Sequence, residues 1–184
     1  MRRYKLLIVV CLFLLPTRSL AAEPRVTDLF ISNTPDNLLV YLKLEDCFTE
    51  KMEEAILAGI PTTFTFILEL YQQRRGWFDK KISILDVRHT IKYDNIKKVL
   101  YVLFTEEGKK PEQFKEFSEA KTAISELNGV VFTPLKQLTK GKRYYLRVKA
   151  KLEEVRLPLH LEYVFFFVSL WDFETDWFKQ DFVY

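Results

Sequence analysis

The sequence predicts a mainly β protein, an antiparallel β-sandwich of the immunoglobulin-like kind with about seven strands and two short covering helices. Three observations indicate this class. Apolar and polar residues alternate with a period of two in several runs. Clusters of turn residues, such as those at 33–36 and 72–76, separate these runs at short intervals. Helical periodicity is confined to two segments, which is too little for a helical or α/β fold.

The strand pattern is clearest at 62–71, where Phe64 and Phe66 share one face and Thr65 and Glu69 share the other. Such alternation is typical of a strand with one face in the core. Six other runs are also predicted to be strands, although 81–93 alternates less clearly, and 99–104 and 161–170 are apolar on both faces, as in an interior strand. The predicted strands are 26–32, 37–44, 62–71, 81–93, 99–104, 144–152 and 161–170.

The first helical segment ends at Gly59 and Pro61, and either Asp46 or Thr49 can cap its start. A helix with one apolar face is expected to cover part of a sheet. Its apolar positions are Phe48, Met52, Ala55 and Ile56.

The second helical segment begins at Pro111 and ends at Asn128 and Gly129. We expect this helix also to cover a sheet, with partner binding by its charged face as the alternative. Its apolar stripe consists of Phe114, Phe117, Ala120, Ile124 and Leu127.

Residues 1–22 have the pattern of a cleavable secretory signal peptide. Arg2, Arg3 and Lys5 precede ten uncharged residues, and small residues follow before a cleavage point after Ala21 or Ala22. The uncharged run is about half of the roughly 20 residues that span a bilayer, so a retained anchor is the less favoured alternative. The sequence therefore predicts export to the periplasm and a single β-sandwich domain at 23–184.

Removal of this leader changes the charge of the protein. The whole chain has 28 basic and 25 acidic residues, but four basic residues and no acidic ones belong to residues 1–22. The remaining domain has a net charge of −1, which removes the compositional support for nucleic-acid binding.

Cys47 is the single cysteine after removal of the leader, so no internal disulfide is expected and no disulfide partner is predicted. We expect a buried apolar thiol, with a catalytic cysteine as the minor alternative.

The sequence has no phosphate-binding loop, dinucleotide fingerprint, nucleophile elbow or paired-histidine zinc motif. Only His89 and His160 could serve a hydrolase, and His89 shares a strand face with apolar residues, as a core histidine would.

Carboxylates at Asp172, Glu174 and Asp176 could hold calcium, but the segment lacks the glycine of a calcium loop. Neutralisation of a basic strand by these carboxylates is the preferred interpretation. We therefore predict a non-enzymatic protein without cofactor or metal.

That basic strand is the most ordered polar pattern in the chain. At 143–152 basic residues and one tyrosine alternate with apolar residues, so they are expected to share one face. One hypothesis is a cationic docking surface for an inner-membrane envelope protein or another anionic surface. The alternative is a solvated face whose lysines protect an exposed edge strand. The candidate partner surface is Arg143, Tyr145, Arg147, Lys149 and Lys151.

A carrier of a small apolar ligand or lipid is the alternative function. It requires the aromatic side chains of Phe64, Phe66 and residues 165–167 to line a cavity rather than to fill the core.

Three pieces of the chain carry a resemblance to a known family. They are the segments at 59–77, 144–159 and 171–177, including Arg74-Arg75-Gly76-Trp77 and the run from Trp171 to Trp177. Together they resemble domain of unknown function 4390, which occurs in exported proteins of proteobacteria. The similarity covers nearly all of the chain after the leader and supplies no catalytic residues. Members are often encoded near nitrogen-regulation-type sensor kinases, so the resemblance implies a role in envelope signalling beside such a kinase.

Overall fold

The computed structural model describes residues 23–153 and 173–184 of the chain. Within these residues the chain forms nine strands, two α-helices and one 3-10 turn. The strands are β1 (Arg25–Asn33), β2 (Asn37–Glu45), β3 (Thr62–Gln72), β4 (Lys80–Asp94), β5 (Val99–Phe104), β6 (Glu112–Phe114), β7 (Glu126–Pro134), β8 (Arg143–Leu152) and β9 (Phe178–Val183). The helices are α1 (Glu50–Leu57) and α2 (Phe117–Ser125), and the 3-10 turn is Leu135–Gln137.

The strands form two antiparallel sheets. The small sheet has the order β1-β2-β7, and the large sheet has the order β6-β5-β4-β3-β8-β9. One hydrophobic core contains side chains from both sheets and both helices, including Val40, Phe66, Ile56 and Ile124. This arrangement confirms the predicted mainly β sandwich with two covering helices.

The central strand β3 is buried on both faces. Phe64 and Phe66 lie in the core, as the alternation predicts, but Thr65 and Glu69 on the opposite face are also buried. Strand β8 and the segment that precedes β9 provide part of this second cover, as described below. Other side chains therefore pack over part of the outer face of the large sheet, so this face is not only solvated.

Helix α1 matches its predicted position. Thr49 is the N-cap, since its hydroxyl accepts a hydrogen bond from the backbone N–H of Met52 at 3.3 Å. Gly59 follows the helix with a φ of 95°, a conformation that favours glycine. A 2.6 Å ion pair between Lys121 and Glu53 joins α1 to α2, so the two helices cover the sheet together.

Helix α2 is shorter than the sequence predicts. The prediction of one helix from Pro111 to Asn128 is wrong at both ends, because each end pairs with a neighbouring strand. Phe114 lies in β6 opposite Leu100, and Leu127 lies in β7 opposite Leu42. The sequence after Gly129 is rich in β-branched and aromatic residues, which favour the strand once a partner is available.

Six of the seven predicted strands are confirmed, and the seventh, at 161–170, lies outside the described residues. The sequence did not predict β6, β7 or β9. The predicted leader at 1–22 also lies outside the described residues. In the described part of the chain, none of the helices has both the length and the apolar character to cross a bilayer.

Candidate docking surface on the large sheet

Strand β8 lies between β3 and β9, and its two faces differ as predicted. Every second residue from Tyr144 to Leu152 is buried in the core, and the residues between them face outward. The interpretation of this strand as a lysine-protected sheet edge is wrong, because β8 is paired on both sides and β9 forms the edge. The predicted surface residues Arg143, Tyr145, Arg147, Lys149 and Lys151 all lie on the outward face.

Glu69 on β3 organises the centre of this face. Its carboxylate accepts hydrogen bonds from Arg147 Nε at 2.7 Å, Lys81 Nζ at 2.7 Å and the Tyr71 hydroxyl at 2.9 Å. The Glu69 side chain is only 8% exposed, and its burial alone would raise the pKa of the carboxyl group. The three donors outweigh burial and lower the pKa of Glu69 to about 2. Glu69 therefore holds Arg147 in a fixed position as a permanently charged partner.

Aromatic rings enclose the fixed guanidinium of Arg147. Its central carbon lies 4.2 Å from the centre of the Trp177 ring and 5.0 Å from that of Tyr71. Tyr71 stacks on Tyr145 with 5.1 Å between ring centres, and Lys179 Nζ lies 4.2 Å from the centre of the Tyr145 ring. These five residues, Trp177, Arg147, Tyr71, Tyr145 and Lys179, form what we call the aromatic–cation ladder.

The segment before β9 runs along β8. Lys149 forms an ion pair with Glu174, and Thr175 exchanges backbone and side-chain hydrogen bonds with Ala150 at 2.9 and 3.0 Å. The Lys149 side chain is therefore only 18% exposed. This geometry confirms that Glu174 neutralises the basic strand. The calcium hypothesis also needs Asp172 and Asp176. Asp172 lies outside the described residues, and the residues that the structure describes contain no group of three His, Cys, Asp or Glu side chains that could hold a metal ion.

Sequence reasoning identified the β8 residues of this surface but missed their partners on the neighbouring strands. Tyr145 and Arg147 belong to the ladder, whereas Arg143 and Lys151 lie at the two ends of the strand beyond it. The missed residues come from β3, from β4 and from the β9 region. They are Glu69, Tyr71, Lys81, Trp177 and Lys179. Only the alternation of the flanking strands points to them in the sequence.

Two of the three residues considered for catalysis, His89 and Cys47, lie in the core. His89 is fully buried and hydrogen-bonded through both ring nitrogens, which confirms the core histidine. Cys47 is a free, buried thiol, and its burial raises its pKa to about 12. His160 lies outside the described residues.

The aromatic residues of the carrier hypothesis also lie in the core where they are described. Phe64 and Phe66 have no exposed surface, and they contact the rings of Phe48, Phe173 and His89. Residues 165–167 lie outside the described residues. A cleft of about 650 Å³ opens elsewhere, between the two sheets, and its lining includes Val87, Glu106 and Val130.

Comparisons with known proteins give one match. The model of a family described as "Domain of unknown function (DUF4390)" matches residues 21–181. No curated protein and no solved structure matches the chain.

Proposed function

The chain belongs to the DUF4390 family, whose description assigns no activity, and from that premise we propose a non-enzymatic interaction module of the bacterial cell envelope. The module is exported to the periplasm and binds an inner-membrane protein. Its docking surface is the outward face of β8 with the aromatic–cation ladder. The extracytoplasmic part of a sensor kinase is the first partner to test.

The observation that carries this proposal is the contact of the Arg147 guanidinium with the rings of both Trp177 and Tyr71, while a hydrogen bond to Glu69 holds it in place. Trp, Tyr and Arg are the residue types that contribute most to protein–protein binding. Here they are held in place before a partner arrives, so binding costs little side-chain entropy. A set of unpaired surface lysines would lack this advantage.

The charge at the two ends of β8 favours a partner with an acidic surface. Within the described residues neither Arg143 nor Lys151 forms an ion pair, whereas Arg147 and Lys149 are both neutralised. Uncompensated cations beside a central aromatic cluster steer an anionic partner onto it and set its register.

Site-specific photo-crosslinking in living cells tests this surface. A photoreactive amino acid replaces Arg143 or Lys151 in the test variants. It replaces Lys110 or Lys115 in the control variants, because these exposed lysines flank β6 at the opposite edge of the same sheet. We expect one discrete adduct with an inner-membrane protein from the test positions only. The same adduct from the controls, or none from any position, would contradict the proposal.

The effect of charge needs variants that keep the fold. Arg147 is unsuitable, because its removal leaves the buried carboxylate of Glu69 without one of its two cationic partners. We therefore choose the double variant Arg143→Gln/Lys151→Gln, with Lys110→Gln/Lys115→Gln as the control that removes the same two charges. Because both probe positions are changed in the first variant, binding of the captured inner-membrane protein is measured by pull-down. The first variant should weaken this binding about tenfold, and the second should leave it unchanged.

Truncation of the ladder tests its central ring. Trp177→Ala should abolish the adduct at Lys151, with a binding loss of about 2 kcal/mol or more. Its unfolding midpoint should stay close to that of the unmodified protein, since Trp177 is partly exposed. An unchanged adduct in a folded Trp177→Ala variant would place the docking surface elsewhere.

A further inference from the structure

The turn between β3 and β4 carries two adjacent aromatic side chains that face solvent. Trp77 is 73% exposed and Phe78 is 88% exposed. Every residue from Arg74 to Lys81 is exposed, and a side-chain carbon added at Gly76 would meet no atom within 4 Å. The two rings therefore lie on a projecting point rather than in a groove. We call residues 73–79 the hairpin tip.

The base of the hairpin tip is fixed to the large sheet. The backbone N–H of Gln73 donates to the Arg143 carbonyl at 2.9 Å, and the Gln73 side chain donates to Asp181 at 2.6 Å. Within the tip, the N–H of Arg74 donates to the Asp79 carboxylate at 3.1 Å. Trp77 and Phe78 are therefore presented at a defined place, at the end of β3 where β8 begins.

Positive charge surrounds the two rings. Six exposed basic residues belong to the tip or to the chain beside it, and they exceed the three acidic residues of the same end. The Gln73–Arg143 hydrogen bond places the β8 end of this set next to the tip. The basic residues are Arg74, Arg75, Lys80, Lys140, Lys142 and Arg143, and the acidic ones are Asp36, Asp79 and Asp181.

From this arrangement we infer that the hairpin tip docks the protein onto an anionic lipid bilayer, with Trp77 and Phe78 in the interface and the basic residues on the headgroups. Tryptophan and phenylalanine on one side of a basic segment are typical of interfacial membrane binding. Lys and Arg near an anionic leaflet each add to that binding. A bilayer accepts a narrow convex point, whereas two side chains on such a point bury little area against a folded protein.

A second exposed apolar residue serves as the internal control. Ile96 is 94% exposed in the turn between β4 and β5, at the opposite end of β4, and it is followed by Lys97 and Lys98. It has neighbouring charge but no aromatic partner. If exposed apolar and basic residues alone caused binding, Ile96 would matter as much as the tip.

The test is co-sedimentation with vesicles. The chain from Glu23 onward is used, because every described strand and helix lies in it and the basic leader would itself bind lipid. The vesicles contain either phosphatidylcholine alone or equal parts of phosphatidylcholine and phosphatidylglycerol. We expect binding to the anionic vesicles only, and weaker binding as salt is added.

The variants separate the two contributions. Trp77→Ala/Phe78→Ala should weaken binding to the anionic vesicles by about tenfold or more, from the lost apolar burial. Arg74→Gln/Arg75→Gln should weaken it by about 25-fold, at about fivefold for each charge. Ile96→Ala and Lys110→Gln/Lys115→Gln should bind as the unmodified protein does. All of these positions are exposed, so a thermal melt is expected to show that each variant is folded.

Three results would overturn the inference: equal binding to both kinds of vesicle, no binding to either, or undiminished binding of Trp77→Ala/Phe78→Ala. The last result would assign the binding to general surface charge. The proposed protein partner is tested separately by the β8 crosslinks, since a protein adduct can form whether or not the vesicles bind. One combination of results would assign the tip to a protein instead. In that case the unmodified protein would bind neither kind of vesicle, and the Trp77→Ala/Phe78→Ala variant would lose the protein adduct formed in cells.

Discussion

The Nε2 atom of His89 lies 2.9 Å from Oε1 of Glu106, in a pair that joins β4 to the loop after β5. The other ring nitrogen, Nδ1, lies 3.0 Å from the backbone carbonyl of Ile124 at the end of α2. Each ring nitrogen therefore has a hydrogen-bond partner in the core. The buried pair thus ties the covering helix to the large sheet.

Replacement of His89 by leucine should destabilise the protein by about 3 kcal/mol. The Glu106 carboxylate loses its 2.9 Å hydrogen-bond partner and keeps a 3.6 Å ion pair with Lys109, and the Ile124 carbonyl loses its partner on the ring. Glu106→Gln, whose amide oxygen can still accept from the ring, should cost less. Urea unfolding at neutral pH measures both. Equal stabilities for His89→Leu and the unmodified protein would show that the pair has no structural role.

The same pair should make stability depend on acid. Burial opposes ionisation of Glu106, but the hydrogen bond and charge of His89 lower the pKa of the carboxyl group below its ordinary value of 4.5. Since the folded pKa is the lower one, the stabilisation is complete above 4.5 and is lost as the pH falls towards the folded pKa. Glu106→Gln should therefore flatten the acid side of the stability curve, and an unchanged curve would contradict the assignment.

Glu69 should give a second and deeper acid dependence. Its pKa falls from 4.5 to about 2, so its stabilising contribution is present above 4.5 and is lost as the pH falls from there towards about 2. Glu69→Gln should cost about 2 kcal/mol at neutral pH, because Arg147 and Lys81 lose a buried counterion. Glu174→Gln removes a more exposed ion pair with Lys149 and should cost under about 1 kcal/mol. Similar losses in the two variants, measured by urea unfolding, would contradict the central position of Glu69.

Cys47 should report on unfolding rather than on surface chemistry. Its thiol is buried, donates to the Leu44 carbonyl at 3.5 Å and has a pKa of about 12, so little of it is the reactive thiolate. In the chain from Glu23 onward, a thiol reagent should label native Cys47 only as fast as the protein opens, and urea should accelerate labelling. Lys115→Cys in a Cys47→Ala background supplies the exposed control, which should react at once. Comparable labelling rates for Cys47 and for the cysteine of Lys115→Cys, both in the folded protein, would place Cys47 at the surface.

The alternating runs predicted much of the large sheet because burial of one face fixes both register and core. Phe64 and Phe66 on β3 and the apolar positions of β8 are buried as their period of two predicts. The outward residues of β8 follow from the same pattern. A local pattern was sufficient there, since each strand carries its own signal for the core.

The ladder could not be predicted in the same way, because it depends on register across three strands. Tyr71 meets Tyr145 only through the β3–β8 pairing, and Arg147 meets Lys179 only through the β8–β9 pairing. No local pattern encodes those pairings. The predicted ends of helix α2 were wrong for a related reason. Phe114 and Leu127 fit a helical stripe, but each pairs with a neighbouring strand in the folded protein.

Gly129, which the sequence suggested as a helix end, instead has a structural role inside β7. Its φ of 73° lies in the left-handed region, and a side-chain carbon there would lie 3.2 Å from the Tyr41 hydroxyl oxygen. Two costs therefore oppose Gly129→Ala: the backbone conformation and the contact with Tyr41. Gly141 has the same φ of 73° but no atom within 4 Å of an added carbon, so it isolates the backbone cost.

We expect Gly141→Ala to destabilise the protein by about 1 kcal/mol, and Gly129→Ala to cost about 2 kcal/mol or more. The difference is the cost of displacing Tyr41, which packs against Phe30 with 5.9 Å between ring centres. Urea unfolding of the two single variants and of Gly129→Ala/Tyr41→Phe measures these costs. Gly129→Ala/Tyr41→Phe should be more stable than Gly129→Ala alone, since the Tyr41→Phe change removes the oxygen atom nearest to the added carbon. Equal losses for Gly129→Ala and Gly141→Ala would show that the β2–β7 pair relaxes freely around Tyr41, and that only the backbone conformation requires glycine.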